Sequence, residues 1–444
     1  MSVPLDRLYH YLENLVDHDV LIYRWHPHGS KNLENLRPLK DIMEGSGSSY
    51  CRSELAFDIP IIAHDQEPLD LFYYNRQHIC NAFAAIFSVP VSDMQRPDNK
   101  HIVKDLTHLH LRSVLHPSIH QTVLLHSEVG GRQLELYKNL GYVTAYWWCH
   151  AVLARDWFRY AQHDPQLGVL SHHKNKDFLI YGRAWSGTRE YRLLFFELVA
   201  NADLAGHCQA SMASHENDLH YLDHAFKNPN LTISRNDLDR IFGNNTTDPT
   251  ASADYDNRDY VTTYMEVVLE TIFDDDRWHL TEKTLRPIAC GKPFLLASSP
   301  KSLQYLRSYG FQTFDPLIDE SYDLISDPVQ RLNTMVREMQ RIAGLSQSEK
   351  INLYKQLQQR TLFNQMHFFS NQFYHTVTQE YRDNIATALD IAQSRPSLQW
   401  SVQRLRAARA WKDKSWKEYE TFYKELLDMW SATGKNPDQL SGRS

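Results

Sequence analysis

The sequence has few of the residues that staple or metallate small domains. Its 444 positions include five cysteines, Cys51, Cys80, Cys149, Cys208 and Cys290, and no two form a C-x-x-C pair. That pattern excludes a zinc knuckle and a disulfide scaffold and points to reduced thiols. Long apolar runs are missing too: no stretch approaches the roughly 20 residues that cross a bilayer. The opening MSVPLDRLYHYLENL lacks the layout of a signal peptide, so a soluble, cytoplasmic protein with no membrane span is expected. Charge of one sign is scarce as well. A formal net charge of -7 gives no global electrostatic case for nucleic acid and leaves room only for a local basic patch. No repeat of solenoid period occurs. What remains is ordinary globular material, 42% hydrophobic and 23% charged, in a chain too long for one core. Two or three domains are expected. Aromatics, at 12%, are plentiful; they suit a core of large residues first and stacking on bases or sugars second.

One stretch organises the rest, Met265 to Asp323. Tyr264 to Ile272 is an apolar run interrupted by Glu266 and Glu270, the pattern of a buried strand with a carboxylate at its end. Thr281 then caps a helix carrying Leu285, Ile288 and Ala289 at helical spacing, which puts Glu282 and Lys283 in its first turn. Free N–H groups and the helix dipole favour an anion there. Gly291 stops the helix, and Pro293-Phe294-Leu295-Leu296 begins another buried strand. Strand, helix and strand make a βαβ unit, the nucleotide-handling device of doubly wound sheets. Ser302 to Tyr309 repeats the logic as a helix, with Gly310 as stop and Thr313-Phe314 as a short strand.

The residues Glu270-Thr271, Thr281-Glu282-Lys283 and Cys290-Gly291-Lys292-Pro293 resemble the donor-binding region of GT-B glycosyltransferases, most closely the α1,3-fucosyltransferase family. Thr-Ile stands where that family has Asn-Ser, and the turn before the proline is one residue shorter. The resemblance spans about thirty residues of the 444. The G-F-x-T-F-D and I-D-E-S-Y-D wording that follows is also similar to glycosyltransferases encoded by large tailed phages, which would place the protein in the host cytoplasm.

Upstream, strands are expected at Val20–Tyr23, Ile59–Ala63, Thr122–Leu125 and Tyr142–Trp147, each running into a polar cluster that contains histidine. In a parallel sheet such ends line one crevice. A short helix near Leu5–Val16 precedes them and another, Val152–Tyr160, follows. The polar run His163–Lys176 reads as a linker. Beyond it, strand Phe178–Tyr181, the loop Gly182-Arg183-Ala184-Trp185-Ser186-Gly187-Thr188-Arg189-Glu190-Tyr191-Arg192 and helix Leu193–Ala200 form a second phosphate-cradle arrangement, with arginines supplying the charge. Asn228–Asn257 reads as a surface excursion. Residues Asp327 to Ala392 are helical in pattern, Pro396 breaks them, and a tail from Leu398 to Trp430 carries Arg404, Arg406, Arg409, Lys412, Lys414 and Lys417 beside three tryptophans.

These patterns and the resemblance together imply an α/β fold of GT-B type: two Rossmann-like domains facing across a cleft, with C-terminal helices. Residues 1–165 form the acceptor side, 176–392 the nucleotide-sugar side, and 397–432 a helical tail. The donor-binding candidates are Arg183, Arg189, Glu270, Thr281, Glu282 and Lys283. Lys283 would pair with donor phosphate and Glu282 with a sugar or ribose hydroxyl. The bland alternatives are a normally capped helix start and solvated arginines. The acidic turn His64-Asp65-Gln66-Glu67-Pro68 offers Asp65, Glu67 and His64 as the base that deprotonates an acceptor hydroxyl, with His126, Glu128 and His150 further acceptor-side candidates. Each of these also suits a hydrogen-bonded strand end. Asp274-Asp275-Asp276 reads as a charged turn rather than a metal site, so no metal and no cofactor are expected; Lys283 and the arginines would neutralise the leaving diphosphate. The fucosyltransferase resemblance implies inverting transfer from a UDP- or GDP-sugar to an acceptor hydroxyl, and the phage resemblance implies a hydroxymethylated base in phage DNA as that acceptor. The alternatives are a glycan or lipid-linked sugar as acceptor, and a non-catalytic nucleotide-sugar or carbohydrate-binding protein.

Overall fold

Apolar runs bounded by glycine and polar clusters become the strands of two all-parallel sheets in the computed structural model, which describes residues 12, 14–16, 22–24, 61–63, 123–131, 134–135, 138, 143–167, 174–216, 218–243 and 254–394. The chain divides into two compact units. One is built on Trp148–Gln379, the other on Pro4–Trp147 with Glu380–Ser444. Both are α/β in character and compatible with Rossmann-like folds. Among the described residues no helix is long and apolar enough to cross a membrane.

In the N-terminal unit, β1 (Ile22–Arg24), β2 (Ile61–Ala63), β3 (Val123–His126) and β4 (Val143–Tyr146) lie side by side in chain order. Ile61 pairs with Val123 and Leu125 with Ala145. All four expected strands therefore exist, shifted by a residue or two. β3 is buried throughout, as a central strand of a parallel sheet must be. Helical residues 380–394 complete this unit. Tyr381 packs on Trp147 with ring centroids 5.9 Å apart and donates its hydroxyl to Leu12 O, and Asn384 donates to Tyr146 O at 2.8 Å.

The other unit opens with α1 (Cys149–Trp157), followed by β5 (Lys176–Gly182), α2 (Tyr191–Asn201) and β6 (Cys208–Met212). A small hairpin, β7 (His215–Glu216) and β8 (Leu219–His220), and the short helices α3 (Leu238–Phe242) and α4 (Asn257–Thr262) come next. Then come β9 (Thr263–Leu269), α5 (Glu282–Ala289), β10 (Phe294–Ala297), α6 (Ser302–Ser308), α7 (Pro328–Ala343), α8 (Gln347–Phe369) and the first part of α9 (Asn371–Ser394), whose residues from Glu380 on belong to the N-terminal unit. The sheet order is β10-β9-β5-β6. The first strand in the chain sits inside the sheet, with the second on one side and the third on the other, so the winding reverses between β5 and β9. That is a topological switch point, and the crevice outside the carboxyl ends of those two strands is where such sheets bind ligands.

Local chemistry fixes these elements. β9 and β10 are buried along their whole length, which explains their apolar runs, and Glu266, the charged residue inside β9, is met by Arg286. Gly182 ends β5 because a Cβ there would lie 2.5 Å from the Phe196 ring of α2. α5 ends in a Schellman motif: Gly291 N donates to Ile288 O and Lys292 N to Pro287 O, with Gly291 at φ +64°. The Cys-Gly-Lys-Pro sequence is thus the turn that feeds β10.

Several expectations are corrected. α1 lies before the proposed linker but packs in the C-terminal unit, where Trp148 donates to Leu280 O at 2.8 Å and its ring meets Tyr309 at 4.5 Å. Thr313-Phe314 is not a strand. Arg307 and Glu320 bind Thr313 Oγ1 and Phe314 N and take the place of a ladder. The helical run after Asp327 is three helices, broken at Gly344–Leu345 and Ser370, the second opened by a capping box of Ser346 and Glu349. The excursion after Asn228 is pinned down as far as Gly243. Glu190 accepts from Lys227 N and Asn228 N, and Glu197 accepts from Ser234 N and its hydroxyl.

Candidate functional site

The site is built from the carboxyl end of β9 outward. Glu270, the first residue past the strand, is fully buried and turns its carboxylate onto the start of α5. Its oxygens accept from Thr281 N at 2.9 Å, Thr281 Oγ1 at 2.7 Å, Thr284 N at 3.3 Å, Thr284 Oγ1 at 2.5 Å and Thr271 N at 3.2 Å. The anion expected at this helix start is therefore supplied by the chain itself. Glu270 and Thr281 act as positioning residues, both with no exposed surface.

Glu282 is buried, while Lys283 keeps 24% of its side chain exposed and lies 2.6 Å from the Glu282 carboxylate. His150, brought by the first turn of α1, places Nδ1 3.2 Å from the other Glu282 oxygen, an ion-pair distance without hydrogen-bond alignment. His150 thus sits with Glu282 and Lys283 in the C-terminal unit, because α1 packs on α5. Burial opposes charge on Glu282, but Lys283 and His150 outweigh it and hold the carboxyl well below its usual range. Burial likewise opposes charge on His150. Cys149 and Glu282 offset that and raise the imidazole to about 10.

A measurable consequence concerns pH. The folded chain holds the His150 proton more tightly than the unfolded chain, whose imidazole titrates near 6.5. The stabilisation is complete below pH 6.5 and is lost as pH rises towards about 10. The melting temperature of the wild type should fall across that window, and His150→Gln should flatten the fall. An unchanged slope in the variant would remove His150 from the Glu282 pair.

Across the switch point lies the loop after β5. Arg183 is exposed and pairs with no acceptor among the described residues; Arg189 is part-exposed. Arg192 has another task. Its guanidinium donates to Ala184 O, Leu269 O and Glu270 O at 2.6–3.0 Å and ties this loop to the end of β9. Thr188 donates to Thr271 O at 2.7 Å and Tyr191 to Glu270 O at 2.7 Å. Two βα turns are thereby locked together, one carrying Arg183 and Arg189 and the other Lys283.

Two residues here escaped the sequence reading. Trp278, half-buried in the loop before Thr281, stacks on Tyr305 with centroids 5.8 Å apart and donates Nε1 to Pro300 O, so its indole is fixed. The only signal was a lone tryptophan between the aspartate run and Thr281. Ser299, at the end of β10, has a buried hydroxyl with no partner among the described residues. The aspartate run itself is a turn: Asp275 pairs with Arg277 at 2.6 Å, and Asp274 accepts from Asn228. Among the described residues no group of three or more histidine, cysteine, aspartate and glutamate side chains could hold a metal ion.

His126 and Glu128 are in the N-terminal unit at the end of β3. His126 is buried, its Nδ1 lies 2.8 Å from Glu128 O, and burial lowers its pKa to about 4, so it is neutral at neutral pH. Asp65, Glu67 and His64 lie outside the described residues, as does the basic tail 397–432. No protein-family model, no curated protein and no solved structure matches the chain.

Proposed function

We propose that the protein is a glycosyltransferase of GT-B type that moves a sugar from a UDP- or GDP-sugar to an acceptor hydroxyl with inversion. The observation that supports this best is the pair of cross-tied βα turns at the switch point, carrying Arg183, Arg189 and Lys283 beside a helix start at which Glu270 already takes the amides of Thr281 and Thr284. Cations so placed would neutralise the diphosphate that leaves as the glycosidic bond breaks. Glu282 and His150 would hold Lys283 in position. The rigid Trp278 indole would offer an aromatic face to the base or sugar. In this reading the acceptor hydroxyl loses its proton to a base of the N-terminal unit, Asp65 or Glu67 first and His64 next. The acceptor oxygen attacks the anomeric carbon as the nucleoside diphosphate departs.

The test is thermal stabilisation by a panel of UDP-, GDP-, CMP- and dTDP-sugars. A ligand at a hundred times its Kd adds about 2.7 kcal/mol to the native state. One nucleotide class should raise the melting temperature, and Lys283→Ala should abolish the rise. No shift with any member would overturn the proposal. Turnover would then separate an enzyme from a binding protein, and a steep loss of acceptor binding with salt would separate a hydroxymethylated DNA base from a neutral glycan.

A further inference from the structure

At the opposite end of the same sheet a cavity of about 190 Å³ lies against the amino ends of β5, β9 and β10. It is larger than the roughly 150 Å³ hole that accepts benzene, so it has room for a ligand of five to ten heavy atoms. Two lysines line it. Lys292 is 8% exposed and donates to Leu167 O at 2.8 Å, and Lys174 donates to Tyr260 O and Val261 O at 3.0 Å each. These partners are neutral carbonyls, and among the described residues neither ammonium has a carboxylate partner. The acid in the wall, Asp164, accepts instead from Asn257 at 3.0 Å and Tyr255 at 3.3 Å. Tyr264, stacked on Tyr354 at 4.1 Å, forms a rigid side of the cavity 5.7 Å from the Lys174 ammonium, and Cys290 and Gln358 also line it.

One buried and one half-buried ammonium without a counter-charge, Lys292 and Lys174, are costly to desolvate and repel each other. We infer that this cavity binds a compact oxyanion, inorganic phosphate or a small carboxylate, between Lys174 and Lys292. The site is distinct from the candidate donor site: α5 begins at Glu282 and Lys283 and its closing turn, Gly291 and Lys292, lines the cavity, eight helical residues or about 12 Å away. Burial, and secondarily Lys292, lowers Lys174 to about 7, and burial lowers Lys292 as well. Tyr264, Tyr354, Cys290 and Asp164 are the other titratable groups facing the cavity. An anion would favour the charged lysines, so binding takes up protons above neutral pH.

The experiment titrates phosphate, and separately malonate, into the full chain at fixed ionic strength, with chloride as control. Saturable thermal stabilisation is expected in the wild type and in Lys283→Ala, and it should be lost in Lys174→Met. Calorimetry of the wild type at pH 8 in two buffers of different ionisation enthalpy should show proton uptake, a readout that needs no variant to fold. Equal stabilisation by chloride, persistence in Lys174→Met or absence of proton uptake would overturn the site. Loss of the effect in Lys283→Ala would place the anion at the switch point instead.

Discussion

Glu270→Ala should lower the local stability of the α5 region by about 3–5 kcal/mol, the cost of stranding buried donors that met a charged acceptor. The carboxylate gathers two backbone N–H groups of the helix start, a third from Thr271, and the hydroxyls of Thr281 and Thr284. All of these residues are buried, so water cannot replace it readily. Glu270→Gln is expected to recover only part of the loss, since its amide nitrogen faces donors. Hydrogen exchange over residues 281–290 reads the effect locally, which suits a chain of two units that need not unfold together. Protection there should drop by about two to four orders of magnitude, at roughly 1.4 kcal/mol per tenfold. A loss within tenfold would mean that Glu270 does not organise this turn.

Arg286→Met should cost a similar 3–5 kcal/mol by leaving the Glu266 carboxylate uncompensated inside the sheet. The guanidinium meets Glu266 at 2.5 Å, donates to the Tyr260 hydroxyl at 3.1 Å and lies over the Tyr181 ring at 4.3 Å. Burial opposes charge on Arg286, but Glu266 overrides it and holds the guanidinium protonated. Replacing both partners tells the cost of a lone charge from the value of the pair. Glu266→Met with Arg286→Met should recover most of the loss, because apolar groups of similar volume suit the site. Exchange protection of β9 and β10 in the single and double variants is the readout. A double variant as weak as Arg286→Met alone would show that the pair itself stabilises the sheet.

Much of this fold was legible because its strands are apolar runs with marked ends. β5, β9 and β10 are buried on both faces, and Gly182, Thr281 and Gly291 stand where the backbone needs a close approach, a cap and a left-handed turn. β6 was not legible, since its five residues CQASM, buried at the two ends and half-buried between, lie at the sheet edge without an apolar run. The site was legible in position but not in role. Sequence shows that Glu270 ends a strand and Thr281 starts a helix; it cannot show that the first caps the second across eleven residues. His150 makes a contact that is hidden from the sequence for the same reason. Its neighbours in the chain end a strand of one unit, whereas its side chain meets Glu282 through the packing of α1 on α5.

The most direct measurement is the affinity of UDP and GDP for the wild type, Arg183→Ala and Lys283→Ala by titration calorimetry. Each cation would contribute a charge-assisted hydrogen bond of about 1.5–3 kcal/mol to the diphosphate, so each variant should bind roughly ten- to a hundredfold more weakly. Uridine or guanosine, lacking phosphate, should bind all three proteins alike. Diphosphate affinities unchanged in both variants would contradict a donor site at the switch point.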